Sequence, residues 1–90
     1  MQTNIFAMSP VFHRESSYSF KIFSNEELRM HIHVLRDEYE AKFWLEPDVE
    51  LADNYGFAPH ELKRIQKIVE KYAAEFKEQY RQHIGKRIDD

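Results

Sequence analysis

From Val11 to Glu46 apolar side chains recur at every second position, and beyond Pro59 they recur at every third or fourth. The period changes near Pro47, and the change separates strands with one buried face from a helix with one buried stripe. Four strands are predicted. The first is Val11 to Arg14, after Pro10. The second sets Tyr18, Phe20 and Ile22 on one face and Ser19, Lys21 and Phe23 on the other. The third sets Met30, Ile32 and Val34 against His31, His33 and Leu35, and the fourth sets Ala41, Phe43 and Leu45 against Lys42, Trp44 and Glu46. A polar turn over Ser24 to Arg29 and a second at Asp37-Glu38 are too short for parallel crossovers, so the strands form an antiparallel meander.

Pro47 ends the sheet because it cannot donate to a strand ladder. Asp48 to Phe57 reads as an acidic loop that lies against the domain through Val49, Leu51, Tyr55 and Phe57. Pro59 opens one long helix, since its fixed φ and missing N–H suit the first helical position, and Glu61 favours the positive end of the dipole. Leu62, Ile65, Ile68, Val69, Tyr72, Ala73, Phe76, Tyr80 and Ile84 form the apolar stripe, and Gly85 supplies the stop. The expected fold class is α+β: a small two-layer domain in which a meander of about four strands packs on one C-terminal helix. The organisation is an N-terminal arm over 1–9, a single domain over 10–85 and a tail over 86–90. A helix from 59 to 84 would be about 39 Å long against about 30 Å for a small domain, so Tyr80 and Ile84 are expected to overhang and meet a partner or a second copy.

Composition narrows the function classes. Ninety residues with no Cys exclude disulfides, thiol chemistry and Cys-ligated zinc, and agree with a cytoplasmic setting. A net charge of −3 with 32% charged residues and no long apolar run argues against a membrane span. The charge is uneven: residues 1–57 carry five basic and ten acidic side chains, residues 58–90 eight and six. Nucleic acid is therefore a candidate partner only for the helix, where His60, Lys63, Arg64, Lys67 and Lys71 form a basic ridge that Glu70, Glu75 and Glu78 interrupt.

With no Cys, candidate chemistry rests on histidines. His31 and His33, one residue apart on a strand, share a face and stand about 6.5 to 7 Å apart at Cα, a spacing from which two imidazoles can converge on a metal. His13, Glu40 or Glu46 would have to complete such a site. The same histidines can act as a general acid/base pair, with Lys42, or Lys21 or Arg36, stabilising an anionic phosphate. The plain alternative is two partly exposed imidazoles on a polar sheet face. Phe23, Leu35 and Trp44 fall on that face and make it a candidate partner surface. No Gly-rich phosphate loop or serine elbow is present, and no cofactor is expected.

The run His31-Ile32-His33-Val34, then Glu40 to Pro47, then Gly56-Phe57 and a helix bearing Glu61-Leu62, Ile65, Ile68-Val69 and Phe76, resembles domain-of-unknown-function family 4160, short prokaryotic proteins. The chain departs from that pattern at Arg29-Met30, where members often carry prolines, and at Ala58, where a Ser or Thr would cap the helix for about 1 kcal/mol. The resemblance implies no established activity. It implies a small bacterial cytosolic protein whose gene is one half of a toxin-antitoxin-like pair, hence a protein-interaction or regulatory module working with a protein partner or as a homo-oligomer. The alternatives are a His-dependent ribonuclease or phosphoesterase using His31, His33 and Lys42, and a His-x-His metal-binding protein.

Overall fold

The computed structural model describes residues 11–23 and 29–89, with side chains through residue 83. Strands β1 (Val11–Glu15), β2 (Tyr18–Lys21), β3 (His31–Arg36), β4 (Tyr39–Trp44) and β5 (Glu50–Tyr55) precede one helix, α1 (Pro59–Asp89). The strands form one antiparallel sheet in chain order, β1-β2-β3-β4-β5. The α+β meander expected from the periodicity is therefore the observed fold, with one more strand. The arm over 1–9 and the turn over 24–28 lie outside the described residues.

Local chemistry accounts for the connections. Ser16 and Ser17 both have positive φ, 52° and 72°, and make the two-residue turn whose twist matches that of the flanking strands. Asp37, at φ 55°, opens the β3–β4 turn, in a conformation that a short polar side chain tolerates. Gly56, at φ 112°, leads into the helix, and a Cβ there would fall on the Tyr39 ring. The Ala58 carbonyl accepts from the Leu62 N–H at 2.9 Å, so helical bonding begins at Ala58 without a side-chain cap.

Two expectations are corrected. The segment read as an acidic loop contains β5. Its alternation was hidden by a bulge: Phe43 pairs with Leu51 and Lys42 with Asp53, leaving Ala52 as an extra residue that breaks the period of two. The helix also continues through Gly85 to Asp89, so residues 86–89 belong to it. One glycine costs a helix about 1 kcal/mol, too little to end it alone.

The predicted inner face is the core. Tyr18, Phe20, Ile22, Ile32, Val34, Phe43 and Leu45 are all buried, against Ile65, Ile68, Val69, Phe76 and Tyr80 of α1. Each such aliphatic or aromatic side chain contributes about 1.5–3 kcal/mol by leaving water. Phe20 and Phe76 stack at 5.8 Å between centroids, and His13 of β1 lies 4.2 Å from Tyr72. A helix is about 10–12 Å wide, while five strands at about 4.8 Å spacing span about 19 Å between outermost axes. One helix cannot cover both edges. Here it covers β1 to β4, and in β5 every residue except Ala52 is exposed.

Candidate functional site

Strand β3 carries the histidines on one side and Arg36 on the other. Both imidazoles are buried: His31 is 0% exposed and His33 6%. The alternative of two partly exposed imidazoles on a polar sheet face is thus corrected. The cause is packing from several directions. His31 pairs in register with Trp44, its ring lies 6.0 Å from the indole and 5.6 Å from the Tyr80 ring, and the two imidazoles meet edge-on at 5.3 Å. Phe23 covers His33 at 4.3 Å.

Hydrogen bonds hold both rings. His31 Nδ1 donates to the Arg29 carbonyl at 2.7 Å, and His33 Nδ1 donates to a Glu40 carboxylate oxygen at 2.9 Å. Lys21 and Lys42 are the register partners of His33 on either side. Trp44 carries two cations against its ring, Arg29 at 4.1 Å and Lys42 at 4.6 Å. Of the proposed metal-site partners, only Glu40 reaches a histidine. His13 stands with Phe20 and Tyr72 on the helix side, where its ring nitrogen donates to Glu15 at 3.0 Å, and Glu46 accepts from the Met30 N–H at 3.4 Å. Among the described residues no group of three or more His, Asp or Glu could hold a metal ion.

Arg36 leaves the phosphate-stabilising set altogether. With Val34 it faces the helix, where its guanidinium donates to Glu61 in the first turn of α1, and the Tyr18 hydroxyl donates to the same carboxylate oxygen at 2.7 Å. Three rings enclose the guanidinium: Tyr18 at 5.3 Å, Phe57 at 5.5 Å and Tyr39 at 5.8 Å. Burial, then the bond to Glu61, pushes the Tyr18 phenol above its ordinary value. The Tyr18 hydrogen bond, followed by that of Arg36, holds the Glu61 carboxyl below its own, against the opposing effect of burial. The Arg36 guanidinium is raised first by its bond to Glu61. This clasp was not legible in sequence. Glu61 had a sufficient reason to be there in the helix dipole, and nothing in the spacing tied it to residues 25 and 43 positions away.

The partner-binding set divides. Phe23, Leu35 and Trp44 are half-buried. Tyr80 does not overhang: it is 3% exposed, and its hydroxyl donates to the Arg29 carbonyl at 3.4 Å, because the end of the sheet extends under the helix. The side chain of Ile84 lies outside those described. His60, Lys63, Arg64, Lys67 and Lys71 are all exposed along α1. Among the described residues the large apolar side chains that are exposed are Val11, Leu51 and Tyr55, at 40%, 42% and 65%, and all three belong to the edge strands β1 and β5. Sequence reasoning missed β5 as a surface because it was read as a loop.

No helix among the described residues is long and apolar enough to cross a membrane. No curated protein and no solved structure matches the chain. A family model does match, over residues 17–81, from the β1–β2 turn through the buried histidines and the clasp to the C-terminal part of α1. On that match the chain belongs to the family described as domain of unknown function (DUF4160).

Proposed function

We propose that this chain is a protein-interaction and regulatory module, one half of a toxin-antitoxin-like pair of small cytoplasmic bacterial proteins. The observation that carries the reading is the distribution of apolar surface. The imidazoles of His31 and His33 are buried, whereas Leu51 and Tyr55 stand exposed on an edge strand that the helix leaves uncovered. Exposed apolar side chains beside an edge's unpaired backbone groups suit a protein partner better than a small substrate. Size-exclusion chromatography with light scattering, on the chain alone and then with the product of the adjacent gene, tests it. A stable mixed complex is expected. A monomer that does not co-elute with that product overturns the reading.

A second reading has one observation in its favour. Glu40 orients His33 through Nδ1, and Lys21 and Lys42 flank that ring, the groups a His-dependent ribonuclease or phosphoesterase would need. The 6% exposure of His33 weighs against it. Growth arrest on expression that is lost in His33→Ala, with the fold retained by circular dichroism, would favour the enzyme; arrest unchanged in both His31→Ala and His33→Ala would sink it.

A further inference from the structure

The bulge in β5 rearranges what that edge displays. In an unbroken strand residues 50 and 53 would point to opposite faces, being an odd number of positions apart. Because Ala52 is the extra residue, Glu50 pairs with Trp44, Asp53 with Lys42 and Tyr55 with Glu40, and those three β4 residues alternate along one face. Glu50, Asp53 and Tyr55 therefore stand consecutively on the face away from the helix, and Leu51, opposite Phe43, stands on the helix face. All four are exposed. Neither Glu50 nor Asp53 has an ion-pair partner among the described residues. On its other side β5 has no strand neighbour among the described residues.

We propose that β5 is the docking edge for a basic extended segment of a partner protein, which adds to the sheet as a sixth strand. The proposal rests on the interaction reading above and names the chemistry of the partner. An added strand satisfies backbone groups along β5, and side-chain alternation then sets the recognised pattern. Two Lys or Arg residues separated by one position face Glu50 and Asp53, and the apolar residue between them falls on the helix face beside Leu51. The segment reads basic-apolar-basic.

The same carboxylates select against a second copy of this chain. Two β5 edges laid antiparallel and centred on Leu51 would bring Glu50 of each copy against Asp53 of the other, a pair centred on Asp53 would oppose the two Asp53 side chains, and opposed like charges destabilise a strand pair. A basic segment meets the reverse situation, so the edge is closed to itself and open to a partner of opposite charge.

The test uses the whole chain, labelled with ¹⁵N, and two capped eight-residue peptides of extended propensity, one centred on Lys-Val-Lys and the other on Glu-Val-Glu. The lysine peptide should shift the amide signals of residues 50–55 and slow their hydrogen exchange, and should bind about tenfold more tightly than the glutamate peptide. Raising salt to about 0.5 M should remove most of that difference. The variant carrying Glu50→Lys and Asp53→Lys, both exposed and outside the core, should reverse the preference. Equal binding of the two peptides, shifts confined to the His60–Lys71 ridge of α1, or no shift at residues 50–55 would overturn strand addition. The broader reading fails separately: if the adjacent gene's product still co-elutes with the Glu50→Lys, Asp53→Lys variant and leaves residues 50–55 unshifted, the module binds a partner but not by this edge.

Discussion

Two acid–base clusters hang on strand β3 three residues apart, His33 with Glu40 on one face and Arg36 with Glu61 on the other. They look alike as pairs and differ in what they join. Glu40 reaches His33 from the adjacent strand, seven positions along the chain, and its side chain is 35% exposed. Glu61 reaches Arg36 from the helix, with the Tyr18 hydroxyl on the same oxygen and aromatic rings around the guanidinium. Register alone makes the first pair. The second needs the helix to be docked, so it reports on the joint between the two layers.

The contrast can be broken by mutation. Glu61→Ala removes the acceptor shared by Tyr18 and Arg36 and leaves both donors in the joint, so the melting temperature should fall by about 10 °C or more in a calorimetric scan. Gly56→Ala attacks the same clasp indirectly: an added Cβ meets the Tyr39 ring in a backbone conformation L residues rarely adopt. A loss of about 1–2 kcal/mol by urea unfolding is expected.

Acidity sharpens the difference. The Glu61 carboxyl is held below its ordinary 4.5, so its contribution is fully present above that pH and is lost as pH falls through the lowered folded value. Tyr18 runs the other way: its phenol is raised above 10.0, so its contribution is present below that pH and is lost as alkali takes pH up through the folded value. Between pH 5 and pH 2 the Glu61→Gln variant should therefore lose a few degrees less of melting temperature than the parent chain. Glu40→Ala should have the smallest effect, about 2 °C or less at neutral pH, because water can replace a partly exposed carboxylate. A Glu40→Ala loss as large as that of Glu61→Ala would show that the histidine face bears as much of the fold's stability as the helix joint.

The histidines show where sequence reading stopped. Their positions on a strand face followed from the alternation, and Lys42 and Trp44 were recognisable as cross-strand neighbours. Their burial was not recognisable, because alternation assigns a face without saying what covers it, and Tyr80 approaches from a helix nearly fifty residues away. Arg36 failed as a phosphate ligand for a related reason. It lies next to Leu35 in sequence, but the period of two puts it on the opposite face from His33, with the helix.

What the chain determined alone was the architecture: a period of two through four strands, Pro47 and Pro59 as breaks, and a stripe of spacing three and four over α1, all of them local effects of backbone sterics and burial. The tertiary structure decided what depends on distant or irregular contacts. A bulge at Ala52 and a helix too narrow for five strands left β5 as an exposed acidic edge, and docking of α1 made Tyr18, Arg36 and Glu61 into one clasp. Periodicity reports which side of an element is apolar. It carries no information about which distant residue will stand against that side, because that choice is made only when the layers pack.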